Sequence, residues 1–113
     1  MAAMSTALTE YSDSYNSRTY IRSGHTALSP SLVIQKRTVP SGATGVVSDS
    51  IKTVDVTDDA DGIQLDSKVT FEVIVRRPVN GTAADVTAAL AVFRDIVAGD
   101  EFTATVNQST YLV

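Results

Sequence analysis

The side chains able to do covalent chemistry are few, and none is spaced for catalysis. His25 is the single imidazole, and it sits in Ser23-Gly24-His25-Thr26, a run that reads as a loop. A hydrolytic triad needs its nucleophile on a strained elbow, and no G-x-S-x-G stands anywhere in the chain. No glycine-rich phosphate loop is present either. With no cysteine, disulfides and thiolate metal sites are excluded, and one histidine is too few for a usual zinc site. The densest acidic run, Asp58-Asp59-Ala60-Asp61-Gly62, invites a calcium test. If Gly62 is the sixth loop position, Lys68 falls at the twelfth, where a bidentate Glu is required. The run is therefore read as a solvated turn. No catalytic residue, cofactor, metal or small-molecule substrate is expected.

What remains is a set of cations and hydroxyls carried on strand-like segments. The clearest is Lys68–Arg77, in which Val69, Phe71, Val73 and Val75 alternate with Thr70, Glu72, Ile74 and Arg76 before Pro78 ends the run. Ser31–Val39 follows Pro30 and stops at Pro40-Ser41-Gly42, and a further strand is expected from about Val46 to Thr57. Ser5–Tyr11 and Arg18–Arg22, around a polar turn, predict an N-terminal hairpin within residues 1–24. The period then changes. Thr82 is a plausible N-cap with Asp85 three residues on, and Val86, Ala89, Leu90, Phe93 and Val97 repeat at helical spacing until Gly99. The helix is placed at 82–98. The tail, 100–113, contains the β-prone run Thr103-Ala104-Thr105-Val106, so it is expected to be extended or disordered.

These elements fit one domain of α+β class, with an antiparallel sheet of about five strands over 31–78 and the hairpin, then one amphipathic helix. A chain of 113 residues buries about two-thirds of its unfolded surface, which leaves little margin of stability. Oligomerisation is the reinforcement left open, and a 19% charged composition agrees with surfaces that partners cover. A formal charge of −4 argues against adhesion to nucleic acid by bulk positive charge, though not against a local basic stripe. Neither a signal peptide nor a membrane span is visible.

The layout resembles the coat proteins of single-stranded RNA bacteriophages, the levivirus-like family. The residues that carry the resemblance are the strand ending Val75-Arg76-Arg77-Pro78, the amphipathic helix from Thr82 to Ala98, and the tail Thr110-Tyr111-Leu112-Val113. The strand pair around Val33–Arg37 and Ile51–Val56 fits as well. The resemblance covers nearly the whole chain and rests on layout rather than on a single motif. It implies a homodimer in which two sheets join edge to edge and the helices clasp across the partner's sheet, completing an intertwined fold. The dimer interface would then take Val86, Leu90, Phe93 and Val97. Dimers would assemble into an icosahedral capsid around single-stranded genomic RNA, formed in the bacterial host cytoplasm. In some members of the family the inner face also binds an RNA hairpin that represses replicase translation. The better-known members carry a second C-terminal helix, from which the β-prone tail departs.

Under that resemblance, an RNA-facing set is expected opposite Phe71, Val73 and Val75. Thr70, Glu72 and Arg76 come from the strongest strand, Gln35 and Arg37 from the Ser31–Val39 strand, and Thr53 from the strand between them. Arginines can grip phosphate, while Thr and Gln hydrogen-bond bases or sugars. On the same alternation Lys36 points to the helix side. Glu72 repels phosphate, and an ordinary solvated sheet face remains the competing reading. Two other functions also stay open: a dimeric RNA-binding regulator, and an all-β structural assembly module.

Overall fold

A computed structural model describes residues 3–42 and 44–113. The chain divides into two compact units, Met1–Val79 and Asn80–Val113. The first is a five-stranded antiparallel meander in the order β1-β2-β3-β4-β5. Its strands are β1 (Thr9–Ser14), β2 (Ser17–Ile21), β3 (Ser31–Thr38), β4 (Val46–Asp55) and β5 (Val69–Pro78). Every neighbouring pair is antiparallel. Consecutive strands joined by turns need no crossover, which is why the β-prone runs pair in chain order.

The hairpin differs from the expected one. The ladder runs on to Ser14 opposite Ser17, so the turn shrinks to Tyr15-Asn16, and a bulge between Glu10 and Ser12 sets Tyr11 out of register. Polar residues at 12–14 read as a turn because strand propensity is weak there, yet pairing with β2 overrides propensity.

Side chains and carbonyls hold the longer loops. Ser31 N–H donates to His25 Nδ1 at 3.1 Å, and the imidazole is tilted against the Tyr11 ring at 5.7 Å between centroids. Asp59 Oδ1 accepts the N–H groups of Asp61 and Ile63, both at 2.9 Å. Gln64 joins the two loops, donating to the Leu28 carbonyl at 2.6 Å and accepting from Ser29 Oγ at 2.7 Å. Histidine and acidic turn are thus both used locally, as structural groups.

In the second unit, α1 (Ala83–Ala98) and α2 (Asp100–Gln108) meet at Gly99. Thr82 stands at the N-cap with extended backbone, but its hydroxyl bonds Asp85 Oδ2 at 2.7 Å instead of a backbone N–H. The second helix corrects the expectation of an extended tail. Asp100 and Glu101 occupy its first turn, where negative charge offsets the helix dipole. The Thr105 hydroxyl returns to the Glu101 carbonyl at 3.1 Å, a bond that lets threonine sit inside a helix. The supposed departure from the levivirus-like layout disappears with it.

Burial is sparse. Among the described residues Val47, 7% exposed, is the only buried hydrophobic side chain. Phe71, Leu90 and Phe93 each keep more than two-fifths of their surface exposed.

The turn entering β4 depends on Gly45. Its φ is +125°, and a Cβ there would lie 3.0 Å from Pro40 Cβ, while its carbonyl accepts Val79 N–H at 3.0 Å. Gly45→Ala is expected to cost about 1–3 kcal/mol through backbone strain. That corresponds to a fall in Tm of several degrees, at about 4–8 °C per kcal/mol. Gly42→Ala, whose Cβ would meet nothing closer than 3.8 Å, is the control and should shift Tm little. Equal Tm values for the two variants in a thermal melt would refute this role of Gly45.

Candidate nucleic-acid interface

Register decides which side chains share a face of the sheet. Val33 pairs with Thr53 and Thr53 with Phe71; Gln35 pairs with Ile51 and Ile51 with Val73; Arg37 pairs with Asp49 and Asp49 with Val75. Facing residues of an antiparallel ladder point to the same side. One face, the Phe71 face, therefore carries Gln35, Arg37 and Thr53 together with the apolar row of β5. The opposite, Lys52 face carries Thr70, Glu72 and Arg76, opposite Val54, Lys52 and Ser48. The six residues expected to make one RNA surface are divided, three to each side. Lys36 is corrected in the same way, because it pairs with Ser50 and Ser50 with Ile74, which puts it on the Arg76 side.

The two faces differ in electrostatics. On the Phe71 face three arginines are held by acids, while Arg77, opposite Val47, makes no ion pair among the described residues. Arg37 Nε lies 2.8 Å from Asp49 Oδ1, and Arg18 Nε lies 3.7 Å from Asp13 Oδ1. Arg22 Nη2 bonds Asp55 Oδ1, which is also within 3.5 Å of Ser31 Oγ. The Tyr20 hydroxyl first, and then the Asp13 charge, raise the pKa of the exposed Arg18 guanidinium above its ordinary value. Gln35 and Arg37 also line an open cleft of about 340 Å³ beside the β1–β2 turn, with Asp13 and Arg18.

On the Lys52 face, Lys36, Lys52 and Arg76 make no ion pair among the described residues. Around them stand the hydroxyls of Ser48, Ser50 and Thr70, the aliphatic side chains of Ile34, Val54 and Ile74, and one acid, Glu72, directly opposite Lys52. A surface with three uncommitted cations, one carboxylate and several small donors can take up anionic oxygens. Lys36 and Lys52 were missed as members of this face, and the cross-strand register is the signal that finds them.

The apolar groups form the second candidate surface. Val69, Phe71 and Val75 are between 40% and 46% exposed on the Phe71 face, and β5 is a ten-residue edge strand with one side unpaired. Of the expected helical stripe, Leu90, Phe93 and Val97 are 43%, 47% and 39% exposed, and Val86 is half-buried.

No family model matches the sequence, and no curated protein matches it. Solved structures do. A virus-like particle subunit of Wenzhou levi-like virus 4 superposes with a TM-score of 0.78 at 14% identity, covering 92% of this chain and 75% of that one. The subunit from the virus-like particle of Beihai levi-like virus 32 gives 0.76 at 15% identity, covering 96% and 89%. That of the bacteriophage AVE019 particle gives 0.72 at 10% identity, covering 98% and 93%. At these identities the likeness is one of fold, and it extends over both units of the chain. The sheet-then-helices arrangement is that of subunits from levi-like particles.

The acids of the Phe71 face can be ranked by what they hold. Asp55 neutralises a guanidinium whose Nε is buried without a hydrogen-bond partner, whereas Asp49 pairs with an Arg37 side chain 58% exposed. Asp55→Ala is expected to cost about 2–3 kcal/mol, since it strands a partly buried charge. Asp49→Ala should cost under about 1 kcal/mol. Urea unfolding followed by circular dichroism gives the order, and a reversed order would contradict this account of the face.

Proposed function

We propose that this chain is a coat protein: a non-enzymatic subunit that pairs with a copy of itself and assembles into a closed virion shell around single-stranded RNA. The observation that carries the reading is apolar surface without a core. A fold that buries one hydrophobic side chain among its described residues, and shares its architecture with subunits of levi-like particles, reaches stability through contacts with other copies.

The surfaces fit that use. The open edge of β5 offers backbone groups to a second sheet, so two copies can extend one ladder. Val86, Leu90, Phe93 and Val97 supply a stripe that a partner's apolar sheet face can cover. Covering side chains of this size that are already about half-buried stabilises by roughly 1 kcal/mol each, so the stripe and the ladder at β5 act together against the cost of association. Between dimers, contacts that are weak singly add up around a closed shell, and RNA gathered on the Lys52 face concentrates the subunits. The proposed RNA surface is revised accordingly. Thr70, Glu72 and Arg76 stay in the proposed surface and are joined by Lys36 and Lys52, while Gln35, Arg37 and Thr53 belong to the Phe71 face. A virion location follows from the reading.

Size-exclusion chromatography of the recombinant chain, with absorbance at 260 and 280 nm, tests the proposal. A void-volume peak rich in nucleic acid, with uniform spheres under negative stain, is the expected result. A dimer peak free of nucleic acid would overturn the coat-protein reading in favour of a smaller assembly. Phe93→Ala should weaken the dimer by about 3 kcal/mol, or roughly a hundredfold in its dissociation constant. Sedimentation equilibrium of the disassembled subunits measures this, and an unchanged constant would remove Phe93 from the interface.

A further inference from the structure

Resting on the RNA-packaging reading above, we infer that the Lys52 face holds single-stranded RNA through its phosphates and does not choose among base sequences. Three placements support this. Sequence-specific recognition of single strands uses exposed aromatic rings as stacking platforms for unpaired bases. The aromatic side chains of β2–β5, Tyr20 and Phe71, are turned to the other face, since Tyr20 pairs with Val33 and Phe71 with Thr53. Tyr11, in the β1 bulge, rests against His25, and the exposed Tyr15 belongs to the β1–β2 turn, not to the strand rows that carry Lys36, Lys52 and Arg76.

The cations are placed in the same sense. Arginine forks are the groups suited to bidentate reading of base edges. Arg18, Arg22 and Arg37 are engaged by Asp13, Asp55 and Asp49 and Arg77 stands on the Phe71 side, which leaves two lysines and Arg76 among the strand residues of the Lys52 face. Lysine ammonium groups act as point charges on flexible stems and bind phosphate without fixing the register of the bases.

Spacing suits a tracked backbone more than a docked base. Lys36 is one strand over from Ser50, and Lys52 lies two residues along β4 from it; Arg76 is one strand over from Ser48. With strands about 4.8 Å apart and about 3.4 Å rise per residue, the three backbone positions are separated by roughly 8–14 Å. Such an array gives each subunit a weak, general hold. Glu72, across from Lys52, weakens it further and favours release over tight local binding. Retention of a genome then comes from many subunits acting together.

The test is filter binding of the full-length chain to a random 20-nucleotide RNA pool and to a pool of stem-loops, at several salt concentrations. No sequence or hairpin should be enriched more than about threefold, since phosphate contacts carry no sequence information. The logarithm of the binding constant should fall with log salt at a slope of about −2 per subunit, for three phosphates at about −0.7 each. Lys52→Gln and Lys36→Gln should each flatten that slope by about 0.7 per subunit, and Arg37→Gln should leave it unchanged. Two lysines are named so that a folding defect in one variant does not decide the question. Hundredfold selection of one hairpin, or a slope that neither lysine variant moves, would overturn the inference while leaving encapsidation intact. Failure of the wild-type chain to retain any RNA would instead overturn the packaging reading itself.

Discussion

The ladders joining β3, β4 and β5 run without a slip from Ser31 opposite Asp55 to Val46 opposite Pro78, and the character of both faces follows from them. Side chains alternate with period two, so a shift of one residue in either ladder would exchange every side chain of a strand between faces. Lys52 would then stand among the valines of β5, and Asp49 would lose Arg37. Two features hold the register. The apolar row Val69, Phe71, Val73, Val75 favours one common side, and the ion pair between Arg37 and Asp49 joins residues that this alignment sets directly opposite. The pair is worth little as a stabilising contact, since it is largely exposed. Its value is in opposing the wrong alignment, where two charges would be left without partners.

A second constraint is the shortage of interior. A single-layer meander can cover one face at most with its own helices, and this chain leaves Phe71, Leu90 and Phe93 more than two-fifths exposed. Conformational entropy opposes the ordering of each residue by about 1–2 kcal/mol, and burial within one copy offers little against it. Under the proposed role, folding and pairing are one process, and the stability of the fold depends on subunit concentration. The mixed Ser, Thr and aliphatic composition fits that economy of charge, because side chains that end in an interface gain nothing from being ionised.

Much of this was legible in the sequence, for identifiable reasons. Strand β5 and helix α1 were placed within a residue of their observed ends, because period-two and period-3.6 patterns are strong there and Pro78, Thr82 and Gly99 punctuate them. Helix α2 was not, since Thr103, Thr105 and Val106 disfavour a helix locally. The acids at 100–101 and the Thr105–Glu101 bond outweigh that preference. The divided RNA set has a different origin. Alternation says which residues of one strand share a side, but not which side of the next strand they join. That depends on where the ladder starts, which turn lengths set and composition does not. Gln35, Arg37 and Thr53 were grouped with Thr70 and Arg76 on alternation alone, and the pairing separates them.

The same partition explains how a chain of net charge −4 can present a cationic surface. Among the strand residues, the Lys52 face carries a single acid, Glu72, and the other strand acids stand on the opposite face. Four aspartates lie between Asp58 and Asp66, and in the helical unit Asp85, Asp95, Asp100 and Glu101 outnumber Arg94. On the Phe71 face Asp13, Asp49 and Asp55 are paired with arginines, and the unpaired Glu10 and Arg77 are opposite in sign, so that face carries little net charge. Net charge governs solubility and long-range approach, whereas binding at contact depends on charges within about a Debye length, roughly 8–10 Å in physiological salt. On their own face of the sheet Lys36, Lys52 and Arg76 meet one carboxylate, Glu72. A subunit built this way repels other copies modestly while they are free in solution. Under the proposed role, a polyanion held at contact by Lys36, Lys52 and Arg76 of several copies bridges subunits whose net charges repel, and so ties the assembly of a shell to the presence of the strand it encloses.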